Sequence, residues 1–273
     1  MASLASRQSY ADASDKLNAA TSTASAQQLS TVADEVLSVA GLLRAEPRLR
    51  RALTDPSREP AQRADLLRGL LSGKLTQATV DAMTTLVAGR WRAPTELLDA
   101  TERLGVDAVL RSAEKADTLA DVEDELFRFA QIVSGTPELA ITLSDPGTPT
   151  ARRVKLVEDL LKGKTQPATL RLVEVALEGF GGRSFEFSLT RLVELTAAKR
   201  DREVAYVTVA KPLDEAEEQR LTAKLSDMYG RPVSLKIDVD PNVIGGVSVR
   251  VGADLYDGTI LRRLTEAKQA FAR

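Results

Sequence analysis

Few residues in this chain have the types and spacing that chemistry needs. Lys162-Gly163-Lys164-Thr165 ends like a phosphate-binding loop. Such a loop requires G-x-x-x-x-G-K-[ST] after a strand, because successive backbone N–H groups must wrap the phosphates. The first glycine of that pattern falls on Glu158, an anion inside a helical stretch, so the match fails. Gly163 reads instead as a helix C-cap followed by a solvated lysine. Its earlier counterpart, Gly73-Lys74-Leu75, lacks the hydroxyl as well. Gly179, Gly181 and Gly182 do not have the spacing of a dinucleotide fingerprint and suit a helix terminus. Asp121, Glu123, Asp124 and Glu125 form an acidic cluster. Paired carboxylates do acid–base work only where their environments separate their pKa values. These four stand at the start of a helical pattern, where the dipole favours negative charge anyway. The chain has no histidine and no cysteine. That removes thiolate chemistry, disulfides, Cys/His zinc sites and His-based triads. The residues argue against an enzyme, and no catalytic, metal or cofactor-binding residue is assigned.

The 273 residues are 43% hydrophobic but only 4% aromatic, enough for two domains with cores of Leu, Val and Ala. A net charge of −2 gives no case for nucleic acid. No apolar run approaches the roughly 18–20 residues that span a bilayer. The N-terminal stretch lacks the apolar core of a signal peptide, so a cytoplasmic location is expected.

The elements that organise the chain lie at its end. Val233, Leu235, Ile237 and Val239 alternate with Ser234, Lys236 and Asp238, the period of a half-buried strand. Asp240-Pro241-Asn242 supplies a turn. Val247, Val249 and Val251 then alternate with Ser248 and Arg250, so a hairpin is expected, with Gly245-Gly246 at a bulge or close backbone approach. From Asp257 the period becomes helical: Ile260, Leu261, Leu264, Ala267 and Phe271 share a face.

The stretch from Val239 to Leu264 resembles the C-terminal signature of the δ subunit of F-type ATP synthases, a family that includes the mitochondrial oligomycin-sensitivity-conferring subunit. Asp240, Gly245, Gly246, and Asp257-Gly258-Thr259 opening a helix with Arg262 and Leu264 carry the resemblance. The family usually has Ser where Thr259 stands. The resemblance implies a non-catalytic subunit of the peripheral stalk, without a cofactor. It implies a helical part on the catalytic head that receives the N-terminal helix of an α subunit. It also implies a C-terminal domain holding the membrane-anchored b subunits, so that α and β do not turn with the rotor. Contact with the membrane is then indirect, through b, on its cytoplasmic face. Ile260, Leu264 and Phe271 become the candidate stalk-binding face; Tyr10, Ala13 and Leu17 become the candidate head-binding helix.

Earlier in the chain, Ser9 with Asp12 is placed to cap that first helix. Residues 21–28 read as loop, and Thr31 with Asp34 as the start of a helix bearing Val32, Val36, Val39 and Leu43. Helical patterns follow from Pro47, over 61–72 and 76–90, and from Pro94 to about Lys115. Residues 31–93 then recur at 121–183 without a gap, with roughly nineteen of sixty positions identical. Leu53-x-Asp55-Pro56 answers Leu143-x-Asp145-Pro146, and Leu70-Leu71-x-Gly73-Lys74 answers Leu160-Leu161-x-Gly163-Lys164. Shared leucines, including the pair Leu66/Leu156, are expected in the core. Unlike positions, Arg50-Arg51 against Ala140-Ile141 and Arg90-Trp91 against Phe180-Gly181, are expected to diversify the surfaces.

The expected architecture is α plus α/β. A duplicated helical bundle (1–117 and 118–203) precedes a β-α-β-β-α domain (204–273), in which Asp214 and Glu217 cap a helix bearing Leu221 and Leu225. Residues 41–75 carry eight Lys/Arg against four Asp/Glu, and 95–127 three against ten. Such blocks are solvated faces or complementary surfaces for partners. The competing reading is a stand-alone helical-repeat adaptor that binds amphipathic helices.

Overall fold

Proline and capping chemistry set most helix starts in the computed structural model, which describes residues 4–199, 203–229, 232–240, 245–251 and 254–257. The helical region runs α1 (Leu4–Ala20), α2 (Ala26–Ala45), α3 (Pro47–Leu53), α4 (Pro60–Leu71), α5 (Gln77–Ala88) and α6 (Pro94–Lys115). It continues with α7 (Leu119–Gly135), α8 (Pro137–Ser144), α9 (Thr150–Leu161), α10 (Pro167–Leu177), a 3-10 turn at Phe180–Gly182 and α11 (Phe185–Lys199). Pro47, Pro60, Pro94 and Pro167 stand in the first turns of their helices, where the missing N–H costs nothing and the fixed φ suits the helix.

Two starts differ from the expected ones. Ser9 lies inside α1 and donates to the Ala5 carbonyl, so it caps nothing. α2 begins five residues before Thr31. Ser25 Oγ accepts from the Gln28 N–H at 3.2 Å while Gln28 Oε1 accepts from the Ser25 N–H at 2.8 Å. This reciprocal box uses Gln rather than an acid, and it leaves only a short turn after α1.

The sequence repeat is a structural one. α2–α5 and α7–α10 follow in the same order, and α4 and α9 occupy positions 90 residues apart. Gly73 and Gly163 both end their helices with left-handed backbone, φ +75° and +77°. Asp55 accepts from the Ser57 N–H at 2.9 Å, and Asp145 from the Gly147 N–H at 2.8 Å. Glu35 accepts from the Thr76 N–H (2.9 Å) and the Thr79 hydroxyl (2.5 Å) at the start of α5. Glu125 does the same for Gln166 (2.9 Å) and Thr169 (2.5 Å) at the start of α10. Each module thus ties its fourth helix of the repeat to its first by a carboxylate on otherwise orphaned helix N–H groups.

Contacts divide the chain into two compact units, residues 1–125 with 138–189, and residues 126–137 with 190–273. The boundaries fall inside α7 and α11, not at the ends of the sequence repeats. In the first unit α2 lies along α6, α1 on α5, and α10 on α6. Leu43, Leu53, Met83, Leu97, Leu104, Leu143 and Leu172 are fully buried there. α6 runs unbroken through Gly105, where a Cβ would come within 2.6 Å of Leu37 Cδ2. The glycine is what lets α2 and α6 approach.

In the second unit, β1 (Glu203–Val209), α12 (Glu215–Tyr229), β2 (Val233–Val239), β3 (Val247–Val251) and β4 (Asp254–Asp257) build a sheet of order β2-β1-β3-β4. Asp214 and Glu217 cap α12 reciprocally, at 2.7 and 3.0 Å, as expected. The hairpin expectation is corrected: β2 and β3 are not neighbours. β1 lies between them, parallel to β2 (Ala205 opposite Leu235) and antiparallel to β3 (Ala205 opposite Val251). The α12 crossover makes β1 and β2 a parallel pair, which leaves the other edge of β1 for β3. Asp254–Asp257 adds a strand to the expected set, with Asp257 opposite Ser248 at its end. The helix expected beyond it, with Gly258, Thr259, Ile260, Arg262, Leu264 and Phe271, lies outside the described residues.

One face of the sheet is apolar. Ala205, Val207, Val209, Val233, Val249 and Val251 pack with Leu225 of α12. The opposite face carries Tyr206, Thr208, Lys236, Asp238, Ser248 and Arg250, the alternation expected from the strands.

Candidate docking surfaces

α1 is fastened before any partner arrives. Ser6 donates to Glu96 at 2.6 Å, the Tyr10 hydroxyl donates to Asp107, and Ser9 Oγ accepts from the Arg90 N–H at 2.9 Å. A Cβ on Gly89 would collide with the Ser9 side chain, so α1 and the end of α5 touch closely. Burial, then the Asp107 carboxylate, pushes the Tyr10 phenol well above its ordinary value, so it stays a neutral donor. Ala13 and Leu17 are 0% and 2% exposed. The three residues named for head binding therefore seat α1 in its own bundle.

The two modules differ where the sequence says they differ. Arg50 donates to the carbonyls of Leu43 (2.8 Å) and Arg44 (3.2 Å), satisfying the end of α2, which Ala140 in the second module has no atoms to do. Arg51 is exposed, and its counterpart Ile141 is 70% exposed. Trp91 Nε1 donates to the Leu86 carbonyl at 3.0 Å, whereas Phe180, the counterpart of Arg90, is buried. The shared leucines divide. Leu53, Leu143 and Leu71 are buried, but Leu66, Leu70 and Leu160 are exposed and Leu156 is half-buried. On α4 the inward positions are Leu67 and Leu71; of the leucines expected in the core there, Leu71 is buried and Leu66 and Leu70 are not.

A junction between the modules has no counterpart in the expectations. Arg44 on α2 donates to Glu102 on α6 at 2.7 Å and to Glu178 after α10 at 2.6 Å. Glu102, 1% exposed, also accepts from the Gly181 N–H at 2.7 Å. Gly179 and Gly181 have φ of +83° and +62°, and this left-handed turn is what aims that N–H at the carboxylate. Nearby, Arg171 on α10 pairs with Asp34 on α2 at 2.8 Å and with Glu174 at 2.9 Å. Burial raises the Glu102 pKa, against the lowering pull of the Gly181 N–H and of Arg44. Burial alone would lower that of Arg44, but Glu102 and Glu178 outweigh it and raise it. The two shifts pull opposite ways: the pair attracts, yet the buried carboxylate is costly unless Arg44 is there.

The glycine run of 179–182 thus serves this turn, and Gly163 ends α9, as expected for helix termini. Of the acidic cluster, Glu125 holds the start of α10 and Asp121 receives Gln166 at 3.5 Å. No group of three or more His, Cys, Asp or Glu among the described residues is arranged to hold a metal.

In the second unit the polar sheet face lines a cleft of about 760 Å³, closed on its other side by Phe127, Ala130, Gln131, Ser134, Thr190 and Val193. Lys236, 5% exposed, lies 4.9 Å from the centre of the Phe127 ring, and the Arg250 guanidinium lies 5.0 Å from that of Tyr206. Gln131 donates to the Ile237 carbonyl at 2.9 Å, occupying the outer edge of β2. The Asp240 N–H continues the ladder to the Val209 carbonyl at 2.9 Å. Gly245 and Gly246 have φ of +65° and +87°, conformations a residue with a Cβ rarely adopts. The two glycines thus shape the backbone that leads into β3, and Asp240 lies at the end of the β1–β2 ladder.

No helix among the described residues is long and apolar enough to cross a membrane. The sequence profile of the ATP synthase delta (OSCP) subunit family matches residues 106–271, from inside α6 through the second module and the C-terminal unit. The chain is 60% identical to the ATP synthase subunit delta of Salinispora arenicola and 58% to that of Salinispora tropica, over 100% of both chains in each case. It is 44% identical to the one from a Parafrankia species, over 98% of this chain and 99% of that one. With identity running the full length and the profile covering more than half of the residues, the chain belongs to the ATP synthase delta (OSCP) subunit family.

Proposed function

We propose that this peripheral-stalk subunit joins the catalytic head to the membrane-anchored b subunits on the cytoplasmic face of the membrane and resists rotary torque without catalysing a step. The first helical module, which has α1 as its own closing helix, receives an α-subunit N-terminal helix. The C-terminal unit, with the residues that follow Asp257, holds the ends of b. The second module lengthens the stalk or meets a different partner. The observation that carries this reading is full-length identity with delta subunits. A built-in junction supports it, because Arg44, Glu102, Glu178 and the Gly181 N–H join α2, α6 and the turn after α10. A strut that resists torque has to resist bending between its modules.

Capture of the tagged chain from detergent-solubilised membranes tests the reading. It should recover α, β and b together; recovery of soluble regulators alone would favour the adaptor. Titrating a peptide from the α N-terminus into the full chain, followed by hydrogen exchange, tests the assignment of modules. Protection is expected in α1–α6. Protection confined to α7–α11 would reverse the assignment, and equal protection of both would end the idea that they diverged.

A further inference from the structure

The register of the second unit sorts the polar face of its sheet into rows. Tyr206 on β1 stands opposite Lys236 on β2 and opposite Arg250 on β3. Two residues along, Thr208 stands opposite Asp238 and Ser248. One row is therefore cation, phenol, cation, and the next is carboxylate, hydroxyl, hydroxyl. Neighbouring strands lie about 4.8 Å apart, so the backbones carrying Lys236 and Arg250 are about 10 Å from each other, and both side chains can reach one group bound between them. All of these residues line the cleft of about 760 Å³, a volume that suits a ligand of metabolite size.

The two cations are held differently. Alternation would leave Lys236 in water, yet it is 5% exposed, against the Phe127 ring on the far wall of the cleft. A cation withdrawn from bulk water acts on a ligand at a lower dielectric than a surface lysine does, and salt screens it less. Arg250 is exposed, and the Tyr206 ring holds its guanidinium over the same row. It makes no ion pair among the described residues. The carboxylates limit what can enter. Asp238 is exposed on the same face and Asp240 lies beyond it, so a polyanion meets like charge there. A single anionic head avoids that repulsion. Phosphate suits the cationic row better than carboxylate does, because it brings up to two charges and three acceptor oxygens to Lys, Arg and the hydroxyls.

We propose that the cleft of the second unit binds a small phosphomonoester, of mononucleotide or sugar-phosphate size, with its phosphate between Lys236 and Arg250. The remainder of the ligand, rich in hydrogen-bond donors, lies against Thr208, Ser248 and Asp238. The proposal concerns one unit of the free chain and does not depend on the stator reading.

The test is isothermal titration of the full chain at about 0.15 M salt, where exposed charges are screened. The probes are adenosine monophosphate, glucose 6-phosphate, inorganic phosphate and succinate. At least one phosphomonoester should bind saturably, at least about tenfold more tightly than succinate; which of the two binds says whether a base or a sugar is recognised. Arg250→Gln should weaken binding at least about fivefold and Asp238→Asn should strengthen it, each with a melting temperature within about 2 °C of the parent, since both positions are exposed. Hydrogen exchange should show protection by the ligand in β1, β2 and β3. Lys236→Gln should abolish binding; where that variant does not fold, the two exposed variants decide. No saturable binding of either phosphomonoester, equal binding of succinate, binding of inorganic phosphate alone, affinity indifferent to both exposed variants, or protection elsewhere in the chain would each overturn the proposal.

Discussion

Replacing Arg44 by Met removes the cation beside which Glu102 is buried. The Glu102 side chain is 2% exposed and keeps only the Gly181 N–H as a described donor, at 2.7 Å. Breaking a buried ion pair from one side costs about 3–5 kcal/mol. Arg44 itself is 29% exposed, so water reaches part of the vacated space, and about 2–4 kcal/mol is the expected loss. For a unit of this size that is a fall in melting temperature of about 4–16 °C. Glu178, 31% exposed, loses a partner at the surface and adds little. The deficit should depend on pH. Burial already holds the Glu102 carboxyl above its ordinary value, and loss of Arg44 raises it further. A carboxyl whose folded value exceeds its unfolded one favours folding at low pH, and that benefit is lost as pH rises through the folded value. Arg44→Met should therefore be nearly harmless near pH 4, the ordinary carboxylate range of about 4.3 being the lower edge of the window, and fully destabilising at neutral pH. Glu102→Leu in the same chain, which replaces the buried carboxylate with an apolar side chain of similar volume, should restore most of the stability and abolish the pH dependence. Calorimetric melts from pH 4 to 8, with hydrogen exchange read at α6 and α10, measure both effects. A single variant melting within about 1 °C of the parent at neutral pH, or a deficit of equal size at both ends of the range, would refute the reasoning.

Three other perturbations probe the remaining parts. Gly245→Val and Gly246→Val each force a branched side chain into left-handed backbone and should cost about 1–2 kcal/mol; an unchanged melt with lost partner binding would make these glycines contact residues instead. Glu125→Ala removes the acceptor at the start of α10 and should cost about 1 kcal/mol and speed exchange of the Gln166 amide, as Glu35→Ala should for Thr76 at α5; unchanged exchange would contradict the capping role. Removing residues 258–273 should abolish recovery of b in the capture assay while α is still recovered; b retained at parental yield would place its seat elsewhere.

Much of the helical order was legible because it is written locally. Prolines, Gly73 and Gly163, and the Asp214–Glu217 box act within a turn of their own position. The repeat then let one module vouch for the other, down to Asp55 and Asp145. What failed depends on distance or on degenerate spacing. Alternation at Val233–Val239 and Val247–Val251 identifies strands but not neighbours, so β1 inserting between them could not be read. Leu66-Leu67 and Leu70-Leu71 satisfy helical spacing in either register, and the burial decides for Leu67 and Leu71. The Arg44 junction joins residues 58 and 134 positions apart, beyond any local pattern. Lys236 has the alternation of a solvent-facing residue, yet the cleft of the second unit buries it against Phe127.

The central claim is that the chain couples head to membrane mechanically. Membranes carrying the complete synthase can be stripped of this chain, assayed for proton-driven ATP synthesis and for ATP hydrolysis by the released head, and then reconstituted with purified chain. Synthesis should disappear, hydrolysis by the head should persist at its former rate, and adding the chain back should restore synthesis. Synthesis that survives without the chain, or hydrolysis by the head that is lost with it, would contradict mechanical coupling.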